Sequence, residues 1–400
     1  MLGDVVSEIW LRLTKELAQS NPLDLAIKLA AALILAAVIY LVQKFVRWTW
    51  ASAGSALRPW WGCCRKLARA REAVDEHGPG LWLSITRAPP NIVDKLRDLG
   101  KLILTIANLK GGVGKTTLTA NLAAFFANPF NDPSRPSRRV LVIDLDFQGS
   151  CSSMLFAGTD WWPSENQLSR ASELIIGSIN AESRGQLGQP VTNVSRARGI
   201  SAFYDLARIE NSEMVRWLID ESQDIRYRLS QLLLSNTVLN HFDVILIDAP
   251  PRLTTSSIQA LCSSTHVLIP TILDVLSTGA VGFFGRQLQA HEELWPHLKV
   301  LGVVGTMTDR RREGAERKDL TTAGDRLRAA LEGTKRNLRH VQARGTAFEF
   351  PYESSAFERA SLSRAAGHGI AYASPVARDR NEAHEVFDPL GMEIQRRWQL

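Results

Sequence analysis

A chain of 400 residues is long enough for two domains, or for one large α/β domain with an appendage. Hydrophobic residues make up 45% and charged residues 22%, which excludes a mainly disordered, collagen-like or multi-span membrane protein. Lys and Arg number 47 against 41 Asp and Glu, and the resulting +6 is unevenly placed: no acid lies between Asp24 and Glu72, while eight basic residues from Lys28 to Arg71 fall in that gap. Four cysteines, Cys63, Cys64, Cys151 and Cys262, form neither a CxxC pair nor a disulfide framework, so a reducing cytosol is the default.

The chain starts with residues 1–23, in which Val5, Val6, Ile9, Trp10, Leu13 and Leu17 share one helical face and predict an amphipathic helix. Residues 25–42, LAIKLAAALILAAVIYLV, carry a single charge, Lys28. At about 1.5 Å per residue this run approaches the thickness of a bilayer core. Trp48 and Trp50 follow at the depth of an aromatic belt, and the basic residues come after them. The expectation is a transmembrane helix over residues 24–47, crossing the cytoplasmic (inner) membrane once with everything after it in the cytoplasm. The alternative is a buried core helix. A cleaved signal peptide is disfavoured, because Asp4 and Glu8 stand where a basic start would be. Residues 48–100 read as a basic juxtamembrane linker, broken by Gly78-Pro79-Gly80 and Pro89-Pro90. No fuller lipidation motif accompanies Cys63-Cys64.

From Lys101 the pattern changes. Residues 102–107 are a short apolar run, and residues 118–126 are helix-like. Between them lies Lys110-Gly111-Gly112-Val113-Gly114-Lys115-Thr116-Thr117. Strand, glycine-rich loop and helix are the context of a phosphate-binding loop. Glycines let backbone N–H groups converge on phosphate oxygens, and the helix N-terminus adds partial positive charge. Lys115 supplies a full charge to the β/γ-phosphates, and the Thr116 hydroxyl is a candidate ligand for Mg²⁺. The standard GxxxxGK[ST] spacing is not met, because Leu109 stands where its first glycine belongs.

The loop KGGVGKTT, with a second lysine at its start, resembles the deviant Walker A motif of the ParA/MinD family of ATPases. The family's other motifs follow in order. Residues 139–145 (RVLVIDL) lead into Asp144-Leu145-Asp146-Phe147-Gln148-Gly149, similar to DxDPQG with Phe147 in place of Pro. Residues 242–251 (FDVILIDAPP) resemble a Walker B strand ending in Asp248. Residues 266–270 read as a further core strand, and 299–311 (KVLGVVGTMTDRR) look like the ParA branch's penultimate strand and TMxDxR turn.

The resemblance covers residues 101–375, expected as one ATPase domain, with 376–400 as a C-terminal tail. It implies an α/β fold with a doubly wound, mostly parallel sheet and phosphates at the C-terminal strand ends. It further implies Mg²⁺ and ATP as cofactors and a homodimer in the ATP state. Lys110 would reach the partner's phosphates, Lys115 would hold its own, and Asp146 would position the attacking water. Thr116, Asp144 and Asp248 would bind the metal or its waters. Thr306 and Met307 are candidate adenine neighbours, with simple packing as the alternative. A ParB-like activator is the implied partner. Arg310, Arg311, Arg317, Lys318, Arg339 and Arg344 belong to a 35-residue stretch of eleven basic residues and five acids, a candidate for non-specific DNA contact. The expected function is therefore that of a membrane-anchored switch ATPase that partitions or positions DNA or an assembly. The alternatives are an ATP-binding scaffold with little hydrolysis and a membrane-coupled tyrosine autokinase, the latter disfavoured because no tyrosine follows Tyr372.

Overall fold

The structure is a computed structural model, and it describes residues 35–44, 68, 90–128, 135–179, 187–219, 224–272, 275–308, 356–357 and 369–399. The chain divides into two units, Met1–Glu72 and Ala73–Leu400.

In the first unit, residues 35–44 are helical and exposed. The expected transmembrane helix is corrected at this point. Among the described residues no helix is long and apolar enough to cross a membrane. Ten helical residues rise about 15 Å, half of a bilayer core. Residues 24–34 and 45–47 lie outside the described residues, as do the expected amphipathic segment and Cys63-Cys64. The inner-membrane location and the membrane as a partner are withdrawn together with the span.

The second unit is built on one sheet in the order β3-β4-β2-β5-β1-β6-β7-β8. The strands are β1 (Leu102–Ile106), β2 (Val140–Asp144), β3 (Gln189–Val191), β4 (Val194–Ile200), β5 (Val244–Asp248), β6 (His266–Ile272), β7 (Lys299–Thr308) and β8 (Ala356–Phe357). Neighbours run parallel throughout, except for the antiparallel β3–β4 pair at one edge. LILTI, VLVID and VILID are buried at every position, as strands covered on both faces must be.

The period of two divides their side chains between two cores. Ile103, Leu141, Ile143, Ile245 and Ile247 face one core. Leu102, Leu104, Ile106, Val140, Val142, Val244 and Leu246 face the other. The first core is closed by α1 (Pro90–Arg97), α4 (Arg170–Ile176), α5 (Asp205–Ile219), α6 (Arg228–Leu233), α8 (Thr255–Ser263) and α9 (Val275–Ala290). The second is closed by α2 (Lys115–Ala127), α3 (Ser150–Leu155) and α10 (Ala377–Gln399). Among the described residues one further short helix, α7 (Asn236–His241), precedes β5.

Packed structure extends past both expected boundaries of the ATPase domain. Ile92, Val93 and Leu96 of α1 are buried before residue 101. Ala383, Val386, Phe387, Leu390 and Ile394 make a helical stripe along α10, the segment expected as a tail, and that stripe packs in the second core with α2. A glycine makes this packing possible: a Cβ at Gly391 would run into the Phe125 ring.

Candidate functional site

The C-terminal ends of β1, β2 and β5 lie side by side, with Ile106 opposite Asp248 and Asp248 opposite Asp144. The glycine-rich loop leaves the first of these ends. Asn108, fully buried, donates to Pro270 O at 2.7 Å and accepts Lys110 N–H at 3.0 Å, which fixes where the loop departs. Gly112 and Gly114 adopt φ of +73° and +79°, a region side chains rarely enter. No atom stands within 4 Å of where a Cβ would be at Gly111 or Gly112, so the loop is open on that side. Val113 turns inward and is buried, and its carbonyl accepts the Thr306 hydroxyl at 3.0 Å. No side chain caps the N-terminus of α2, which starts at Lys115 after Gly114. Its first backbone N–H groups are thus available to an anion.

The charged groups converge on this loop. Thr116 Oγ1 donates to Asp248 Oδ2 at 2.7 Å, and Thr119 Oγ1 lies 3.4 Å from Asp248 Oδ1. Lys115 is buried, and its Nζ donates to Lys110 O at 3.1 Å. Burial lowers the Lys115 pKa, while Asp248 and Asp146 pull it back up. Burial drives Asp248 well above the usual carboxylate range, and the neighbouring Asp144 adds to the rise. Burial also pushes Asp144 up to about 7, against hydrogen bonds from Ser152 and Asp146. A cation beside these two acids would offset that cost.

Asp144 is largely committed inside the protein. Its Oδ1 accepts Asp146 N–H at 3.0 Å, and its Oδ2 accepts the Ser152 N–H at 2.8 Å and the Ser152 hydroxyl at 2.7 Å. It therefore orders the turn that carries Asp146, whose Oδ1 accepts Gln148 N–H at 3.1 Å. Lys110 is turned toward its own chain, with Nζ 2.5 Å from the hydroxyl of the buried Ser277 on α9. Thr306 is buried, and its hydroxyl has two acceptors in reach, Val113 O and Thr271 O at 3.1 Å. That geometry supports the loop from below. Thr117 opens α2 beside Thr116, and its carbonyl accepts Asn121 Nδ2 at 2.8 Å. The Met307 side chain and residues 309–355, with the whole basic stretch, lie outside the described residues.

Sequence reasoning missed Asn108, Thr119, Ser152 and Glu210. Glu210 of α5 is buried and accepts the Thr254 hydroxyl and the Ser256 N–H at the start of α8, and burial raises its pKa. It thereby anchors the turn that follows Asp248-Ala249-Pro250-Pro251. Only Thr119 carried a signal, standing one helical turn after Lys115 and so on the same face.

The donor set fits Mg²⁺ and a nucleotide. Thr116 and Asp248 offer hard oxygen ligands beside an open loop of backbone N–H groups. Among the described residues no group of three or more His, Cys, Asp or Glu could hold a metal. An ion here would therefore draw most of its ligands from phosphate and water, as Mg²⁺ does.

Known proteins match this chain in sequence and in fold. A family model described as an AAA domain matches residues 101–299. The chain is 30% identical over 250 residues to the chromosome partitioning protein ParA of Caulobacter vibrioides, covering 60% of this chain and 83% of that protein. It is 29% identical over 211 residues to the chromosome-partitioning ATPase Soj of Thermus thermophilus, covering 52% and 70%. A replication protein A of Sinorhizobium fredii is 31% identical over 221 residues, or 54% of this chain, but the match spans only 49% of that relative's length. In fold, the chain is similar to apo McdA of Cyanothece, with a TM-score of 0.52 at 20% identity over 72% of this chain and 97% of that one. By its sequence kinship to ParA and Soj, and with the phosphate loop in its expected place between β1 and α2, this chain belongs to the ParA/MinD family of P-loop ATPases.

Proposed function

We propose that this protein is a ParA-type ATPase that binds Mg-ATP, dimerises around it, hydrolyses it slowly and uses the two states as a switch to partition or position cargo. The observation that carries the reading is the juxtaposition of a lysine at each end of one open glycine loop with Thr116 bonded to Asp248 at 2.7 Å.

Bound Mg²⁺ would supply charge neutralisation at the phosphates. Lys115 and the N-terminus of α2 would hold the β- and γ-phosphates. Thr116 and Asp248 would hold the ion, and the Asp248 carboxyl, costly to ionise in its buried setting, would become stable as a carboxylate there. Asp146 would orient the attacking water, with Asp144 keeping its turn in place. Lys110 would leave Ser277 and engage the phosphates of a second copy, so that ATP completes the interface and ADP releases it. Catalysis is then positioning plus charge stabilisation, which agrees with slow turnover. A ParB-like activator and DNA contact through Arg310 to Arg344 belong to the same proposal, on the family resemblance and the charge of that stretch.

Phosphate release measured with Mg-ATP, alongside light scattering with ATP and with ADP, tests the proposal. Hydrolysis together with an ATP-specific dimer supports it. ATP binding without either overturns it in favour of a scaffold.

A further inference from the structure

At the end of the sheet remote from the phosphate loop, the structure holds a second basic cavity of about 400 Å³. Its position follows from strand direction. His266 is the first residue of β6 and Lys299 the first of β7, while Arg138 comes just before β2. The helix end Leu96-Arg97 and Trp398 of α10 complete the wall. Strands rise about 3.3 Å per residue, so β6 and β7 put more than about 20 Å between this cavity and the ATP end.

Among the described residues the lining contains Arg97, Arg138, Lys299, His266 and His297 and no carboxylate. Two of the acids nearby are engaged, and a third, Asp98, is exposed beside Arg97. Asp243, which acts on Arg138, accepts from Arg139 at 2.7 and 3.0 Å and lies 3.9 Å from Lys101. Asp94 faces Arg97 at 3.4 Å on the exposed side. Arg138 stacks over the Trp398 ring at 4.8 Å, which fixes its guanidinium at the wall. His297 is only 4% exposed, and its ring leans on the Cys262 and Ser264 backbone without a hydrogen bond of good geometry. Burial lowers the pKa of both rings, and Lys299 beside His266 and Arg97 beside His297 lower them further. Five cationic or imidazole side chains around one cavity, with no carboxylate among its described lining residues, suit an anion.

We infer that this cavity is a binding site for a small phosphomonoester, with Arg138 and Lys299 holding the phosphate and His266 and His297 beside it. Free phosphate shares that chemistry, but a water-sized share of volume is about 30 Å³ and the cavity leaves room for an organic group beside Trp398.

The probes are inorganic phosphate and glycerol 3-phosphate, titrated calorimetrically into the full chain and into three variants, Lys299→Gln, Arg138→Gln and Lys115→Ala. Lys299 is exposed, so its variant folds whether or not the site exists. The expected result is binding that weakens about tenfold in Lys299→Gln and in Arg138→Gln, survives Lys115→Ala, and is tighter for the ester. Bound ligand also raises the pKa of His266 and His297, read by imidazole NMR. Binding lost only in Lys115→Ala, or imidazole titrations that ligand leaves unmoved, overturns the inference.

Discussion

Thr306→Val isolates what the hydroxyl of Thr306 does at the phosphate loop. Valine keeps the branched shape and removes one O–H, so the packing at Gly114, where a Cβ would sit 3.6 Å from the Thr306 methyl, is retained. The hydroxyl has Val113 O at 3.0 Å and Thr271 O at 3.1 Å, but a single proton serves one acceptor at a time. The loss is one buried hydrogen bond, about 1–2 kcal/mol with the carbonyl left unpaired. If the loop needs that bond to hold its nucleotide-binding shape, affinity falls about 5- to 30-fold. The two roles considered for Thr306 give different patterns. Support from beneath weakens ATP and GTP equally, since both present the same phosphates, whereas an adenine contact weakens ATP alone. Fluorescent-nucleotide titration of both, with circular dichroism to confirm the fold, separates them. Affinities for both nucleotides within twofold of wild type would refute the reasoning.

Three further outcomes follow from the same geometry. Asp146→Ala should lower phosphate release by about a hundredfold or more while ATP stays bound and the dimer accumulates, measured by steady-state release and gel filtration. Ser277→Ala removes a contact that Lys110 must break to reach a partner, so the ATP-dependent dimer should form at about three- to tenfold lower concentration in sedimentation equilibrium. His266 and His297 are pushed down to about 4 by burial. The unfolded chain takes up their protons near pH 6.5 and the folded chain does not, so stability is full above about 6.5 and falls as the pH drops toward 4. The loss is up to about 3 kcal/mol for each ring, and urea melts at pH 7.5, 5.5 and 4.5 should show the midpoint dropping accordingly.

The central strands were legible because each is a short apolar run, and β2 and β5 also end in an acid at the site. The phosphate loop was legible because its glycines and lysines are fixed by the chemistry of phosphate. The edge was harder. QPV and VSRARGI of β3 and β4 carry too little apolar pattern to read as strands, and their pairing depends on the long-range register with β2. The helix α10 was hidden by Pro389 and by charged residues that outnumber its buried stripe. The run over residues 25–42 shows the opposite limit: a span was read from its length and hydropathy, and among the described residues no helix is long and apolar enough to cross a membrane. At the site, residue types were readable and their partners were not. Nothing in the spacing of Asp144 and Ser152, or of Lys110 and Ser277, announces a hydrogen bond that the fold creates between separate elements.

The central claim is that Lys110 acts across an ATP-dependent dimer while Lys115 acts within its own subunit. Sedimentation velocity of wild type and Lys110→Ala, each with Mg-ATP and with Mg-ADP, tests it most directly when paired with nucleotide titration. Wild type should be a dimer with ATP and a monomer with ADP. Lys110→Ala should bind ATP within about threefold of wild type and remain a monomer with either nucleotide, because the charge it loses belongs to the partner's phosphates. A Lys110→Ala protein that dimerises with ATP as wild type does would contradict the account.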